Sequence, residues 1–190
     1  MIAKALQFTR DVLDQFIKNR YGLDESKVVL NTLIEPNGDI PKANQNRIVI
    51  SLINIEKETL KQFYNKTSSK ISGSYNAELN PSERYNLDMM LSSSFDDYTE
   101  ALKFLNAAIL FFQIHPMLDS SSYSTIPAGL HKLEYEIEKN GYHQMHSLWT
   151  AMGAKYQPSI IYKIRLITIQ GNEADSFSPG VTQTSTAATL

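Results

Sequence analysis

The 190-residue sequence contains no cysteine. That excludes a disulfide framework, a thiolate metal site and a cysteine nucleophile. The absence fits a protein made in a reducing compartment. An excess of one charge is missing as well. Lys and Arg number 18 against 20 Asp and Glu, for a net charge of −2 and a pI of about 6.1. No global field recruits nucleic acid or an anionic membrane. Long hydrophobic runs are also lacking. Stretches such as Ala107–Phe112 fall far short of the ~20 apolar residues of a membrane span. The opening MIAKALQFTRDVLDQFIKNR has apolar residues at helical spacing and no continuous apolar block, so no signal peptide is read there. The expectation is a soluble protein made in the cytoplasm, with no membrane or nucleic-acid partner. The eight glycines are scattered, and neither a Walker A nor a GxGxxG pattern occurs.

What is present allows a sizeable core. Hydrophobic residues make up 42% of the chain, and the length fits one domain, or one domain with an arm. Ile2, Ala5, Leu6, Val12, Leu13, Phe16 and Ile17 share one helical face, with Lys4, Asp11, Asp14 and Lys18 largely opposite. Tyr21-Gly22 ends that helix, and Val28–Leu30 starts a short strand. The loop EPNGDIPKANQN reads as a turn. RIVISLINIEKE, Arg47–Glu58, opens nearly all apolar and β-branched, as a strand covered on both faces does. Residues 65–83 are polar and rich in Ser and Asn, and read as a mobile loop. A strand over Tyr85–Phe95 follows. Asp96-Asp97 then caps a helix over Tyr98–Ile114, apolar at 98, 101, 102, 105, 108, 109 and 112. Leu133, Tyr135 and Ile137 alternate with Glu134, Glu136 and Glu138, the pattern of a half-exposed strand. A short helix over Tyr142–Met152 and a last strand over Ser159–Ile169 complete the order. The fold class is α+β, a mixed and largely antiparallel sheet with packed helices. Residues 1–169 form that domain, and 170–190, small and polar, form a flexible C-terminal arm.

Few residues invite chemistry. His143 and His146 sit three apart on the short helix, a spacing that suits zinc only with a third ligand. The alternative is a pair of polar histidines beside Trp149. Glu134, Glu136 and Glu138 form either a solvated sheet face, a face for a basic partner, or a site for a cation or acid–base work. The hydroxyl-rich Ser120–Thr125 has no GxSxG elbow and no identified base. No catalytic, metal or cofactor-binding residue is assigned. Lys155, Lys163 and Arg165, with Tyr156 and Tyr162, form a basic and aromatic group near the end. It reads as an edge strand protected from aggregation, or as an edge that pairs with one partner strand. The candidate partner-binding residues are Lys155, Tyr162, Lys163, Arg165, Glu134, Glu136 and Glu138.

LWTAMGAKYQPSIIYKIRLITI, Leu148–Ile169, resembles the end of the N-terminal domain of tail-terminator, or cap, proteins of phage-tail-like contractile injection systems. The matching residues are Leu148, Trp149, Gly153, Tyr156, Pro158, Ser159, Tyr162, Lys163 and Arg165. Three further stretches agree in order: MIAKAL, VISLINIEKE at Val49–Glu58, and YTEALKFLNAAILFFQ at Tyr98–Gln113. The resemblance departs at Lys57, where an acid is usual, and in PSERYNLDMM, Pro81–Met90. It implies a fold similar to phage tail terminators. It also implies a structural role without catalysis. A homohexameric ring would end the inner tube and sheath at the end distal to the baseplate and join them. The partners implied are the chain itself, the sheath protein and the inner-tube protein. The particle is either released outside the cell or held in it; the sequence leaves that open. Two other readings stand beside this one: an unrelated α+β adaptor, and a small metal-dependent hydrolase built on His143 and His146.

Overall fold

The computed structural model describes residues 1–58, 67–71, 75–79, 83–169 and 174–179. Three helices are described: α1 (Ile2–Tyr21), α2 (Tyr98–Ile114) and α3 (Tyr142–Ala151). The strands are β1 (Val28–Leu30), β2 (Arg47–Lys57), β3 (Thr67–Ile71), β4 (Tyr75–Leu79), β5 (Glu83–Ser94), β6 (Met117–Asp119), β7 (Lys132–Ile137), β8 (Ser159–Ile169) and β9 (Ala174–Pro179). Six of them form a mixed sheet in the order β1-β2-β5-β8-β7-β6. Only the β1–β2 pair is parallel; the other ladders are antiparallel. The α+β class expected from the sequence is the class observed.

Helix α1 forms because its apolar residues recur at helical spacing and bury Ala5, Leu6, Leu13 and Ile17. Gly22 ends it in the left-handed conformation, φ 63° and ψ 43°, and its N–H donates to Lys18 O. Lys18 and Arg20 face the negative end of the helix dipole. Asp14, expected on the polar side, is buried instead. Its Oδ1 accepts from the backbone N–H groups of Lys27 (2.8 Å) and Val28 (3.0 Å), which fixes the start of β1 against the helix. Asp97 caps α2, accepting from Glu100 N at 2.7 Å. This helix buries Ala101, Phe104, Leu105, Ala108, Phe111 and Phe112. Tyr98 and Leu102, counted in its apolar stripe, are exposed. The buried face is rotated toward the phenylalanines, the larger apolar surfaces.

Helices α1 and α2 cover one face of the sheet, where Ile48, Ile50, Leu87, Met89, Leu91 and Ile164 join a single core. The other face holds a smaller cluster of Val49, Met90, Ile161 and Leu33 under Trp149 of α3. The first half of β2 is therefore covered twice, as its unbroken apolar run indicates. Tyr135 and Tyr162 lie in the larger core. Thr9 Oγ1 donates to Ala5 O at 2.8 Å, and Tyr135 Oη donates to Thr9 Oγ1 at 2.6 Å.

Strands β3, β4 and β9 form a second, antiparallel sheet in the order β3-β4-β9. The expected loop over 65–83 thus contains two paired strands. Strand β3, TSSKI, shows no apolar alternation; β4, YNAEL, alternates Tyr75, Ala77 and Leu79 with Asn76 and Glu78, a short signal concealed by the polar composition around it. Their pairing follows from register. The β5–β8 ladder ends at Glu83↔Ile169, and the β4–β9 ladder resumes at Leu79↔Ala174, offset by one residue. Of the stretch expected as an arm, Ala174–Pro179 pairs with β4; the rest lies outside the described residues. Among the described residues, no helix is long and apolar enough to cross a membrane.

Burial pushes Tyr162 up to about 12, and it raises Tyr135 further. The folded state therefore holds protons that the unfolded chain loses near pH 10. Stability is full below pH 10 and falls as pH rises toward 12, by about 1.4 kcal/mol per pH unit for each withheld proton. Urea unfolding at pH 9, 10.5 and 11.5 should show that fall, with a shallower slope in Tyr162→Phe.

Candidate interface

Strand β8 lies inside the sheet, between β5 and β7. It is not the edge strand that its alternating Lys163 and Arg165 indicated. These charges meet the acids of neighbouring strands. Register sets Lys163 opposite Asp88 of β5 and Glu136 of β7, and Arg165 opposite Glu134. Lys163 Nζ lies 2.7 Å from Glu56 Oε2, 3.6 Å from Asp88 Oδ1 and 3.8 Å from Glu138 Oε2. Arg165 Nη2 donates to Glu136 Oε2 at 2.6 Å. Lys132 pairs with Glu134 at 2.5 Å. Asn54 Nδ2 donates to Asp88 Oδ2 at 3.0 Å. The result is a charged belt across β2, β5, β8 and β7, on the face that α3 covers at its apolar end.

The belt places cations where acids hold them. Hydrogen bonding to Glu56 keeps the Lys163 ammonium above the usual lysine range; Asp88 and Glu138 add to this and partial burial opposes it. Arg165 is raised chiefly by its hydrogen bond to Glu136. Asp88 is buried, and Lys163 is the cation placed beside it.

The candidate residues do not all join this belt. Glu134, Glu136, Glu138, Lys163 and Arg165 come together. Tyr162 does not: strand alternation turns it to the opposite face, where its ring packs 4.5 Å from Phe112 and is 2% exposed. It is a core residue of this chain. Lys155 stands exposed on the α3–β8 loop. Sequence reasoning missed Asp88 and Glu56. Asp88 carried a signal, as the one charge in the otherwise uncharged run Tyr85–Leu91.

The remaining candidates resolve locally. His143 and His146 are exposed on α3. Among the described residues, no group of three His, Cys, Asp or Glu is placed to hold a metal ion. Asp119 Oδ1 accepts from Ser121 N, Ser121 Oγ and Ser122 N at 3.1, 2.7 and 2.8 Å, which makes a turn of the hydroxyl-rich loop. These bonds, the Ser121 hydroxyl first, hold Asp119 below its ordinary range.

Beside the belt, a cleft of about 980 Å³ opens between α3 and the start of β8. Trp149 forms part of its wall and meets Tyr156 edge to face, with ring centroids 5.5 Å apart. Glu138 links the cleft to the belt.

The family described as the Pvc16 N-terminal domain matches residues 7–183. The chain belongs to that family. The chain is similar in fold to two chains solved by cryo-EM. One is the sheath/tube terminator of an extracellular contractile injection system, PVC, in its extended state. The TM-score is 0.63 at 13% identity, over 100% of this chain and 64% of that one. The other is the tube-terminating cap of the anti-feeding prophage, with a TM-score of 0.57 at 11% identity, over 94% of this chain and 59% of that one. The chain thus spans less than two thirds of either. No curated protein matches the sequence. The resemblance read from the sequence is borne out as family membership.

The belt generates a direct test. Lys163→Met should leave Asp88 buried without its cation and lower stability by about 2 kcal/mol in urea unfolding at pH 7. Lys155→Met should change stability by less than about 0.5 kcal/mol.

Proposed function

We propose that this chain is a structural cap of a contractile injection system. It ends the inner tube and the sheath at the end distal to the baseplate, and it joins them. The observation that carries this reading is the family match over 7–183 together with a chain-long likeness in fold to a sheath/tube terminator. The role is mechanical: it blocks further subunit addition and makes or breaks no covalent bond. The partners are other copies of this chain, the sheath subunit and the tube subunit. The chain is made in the cytoplasm and becomes part of the particle.

The physics of the fold suits this role. Outer edges at β1 and β6 offer backbone donors and acceptors to a neighbouring chain. The belt adds carboxylates open to solvent at Glu134, Glu136 and Glu138, and Lys155 stands exposed apart from it on the α3–β8 loop. We assign these, with Arg165, to contacts in the assembly, and the part of the expected arm that follows β9 to reaching a neighbour. A closed sixfold ring multiplies such contacts, so each can be weak.

Native mass of the purified chain tests the ring. Six copies of a 21.5 kDa chain give about 129 kDa. A species near that mass, by light scattering or native mass spectrometry, is the expected result. A chain that stays monomeric even when mixed with tube and sheath ends would contradict it.

A further inference from the structure

The cleft beside α3 has features that the belt and the fold do not use. Tyr142 begins α3 and is 97% exposed; Tyr156, across the cleft, is 71% exposed. Aromatic rings so open to water contribute little to folding, yet they present π faces to a ligand. Glu138 is the one carboxylate in the lining, and no Lys or Arg lines the cleft. Lys163 holds Glu138 only at 3.8 Å. Two polar groups of the wall, Trp149 Nε1 and Ser159 Oγ, are buried and have no hydrogen-bond partner among the described residues. Buried polar groups are rarely left so. Strand β7 ends opposite Tyr162, and Glu138 N just beyond it donates to Ile161 O at 2.9 Å, so only Ser159 and Ile160 of β8 pair with β5 alone.

We propose that this cleft receives an arginine side chain carried on an extended segment of a partner protein. The guanidinium stacks on the faces of Tyr142 and Tyr156 and pairs with Glu138. Its planar fork can do both at once, which a lysine ammonium cannot. The partner's extended segment passes over the mouth of the cleft near Ser159 and Ile160. Charge complementarity selects this occupant: an acidic segment would meet Glu138, and a purely apolar one would leave that carboxylate desolvated. The site is a property of the folded chain, so its test needs no assembled particle.

Trp149 is the single tryptophan of the chain and lines the cleft, so its fluorescence is a probe of binding there. The probes are the blocked pentapeptide acetyl-Ser-Val-Arg-Val-Ser-amide and its citrulline counterpart, which keeps the shape and loses the charge. The arginine peptide should shift Trp149 emission saturably. The citrulline peptide should bind about tenfold more weakly. Glu138→Gln and Tyr142→Ala should each weaken the arginine peptide about three- to tenfold, with the urea midpoint unchanged. Absence of a saturable shift, equal binding of both peptides, or full binding by both variants would overturn the proposal.

Discussion

Strand β5 has no solvent side along its middle. Leu87, Met89 and Leu91 point into one core and Met90 into the other. A sheet built around such a strand must be covered twice. Two long helices cover the centre of the first face. The second is covered by α3, which is ten residues long and buries only Trp149 of its own side chains, with Leu33 of the loop after β1. Beyond its reach the same face must be polar, and the chain places its charges there. Asp88 sits two residues from Met90, on the same face, where apolar cover ends. From that position follows the need for Lys163, and from Lys163 the arrangement of Glu56 and Glu138 around it. The belt is thus a consequence of covering a doubly buried strand with one short helix.

Much of this was legible in the sequence because the main sheet and both long helices are built on apolar periodicity. The unbroken run in Arg47–Glu58 signalled two covered faces, and the alternation around Tyr135 signalled one. Periodicity failed where no core is made. Strand β3 is polar and β4 alternates over only five residues, and the register that sets β4 against β9 joins distant parts of the chain. Propensity and hydropathy hold no record of that register. It also failed to separate edge from interior. Lys163 and Arg165 look like edge protection, and only the strand order shows that they neutralise acids on both sides. For Tyr162 a single step of parity decided between surface and core.

Function lay outside what residue chemistry could supply. Composition bounded it and the family resemblance named it, and the match over 7–183 bears out the family. On the proposed function the chain acts through shape, edges and repeated weak contacts, a role that calls for no constellation of reactive groups. What the chain does leave is surface: open strand ends, half-exposed carboxylates and two tyrosines held in water beside a buried indole.

The central claim is that this chain sets where the particle ends. The most direct measurement is the length distribution of tubes and sheaths, by electron microscopy, in producing cells with this gene deleted and with it restored. Loss of a defined length on deletion, or loss of tube–sheath attachment, with recovery on restoration, is the result expected. Particles of unchanged length and intact attachment in the deleted cells would contradict the account.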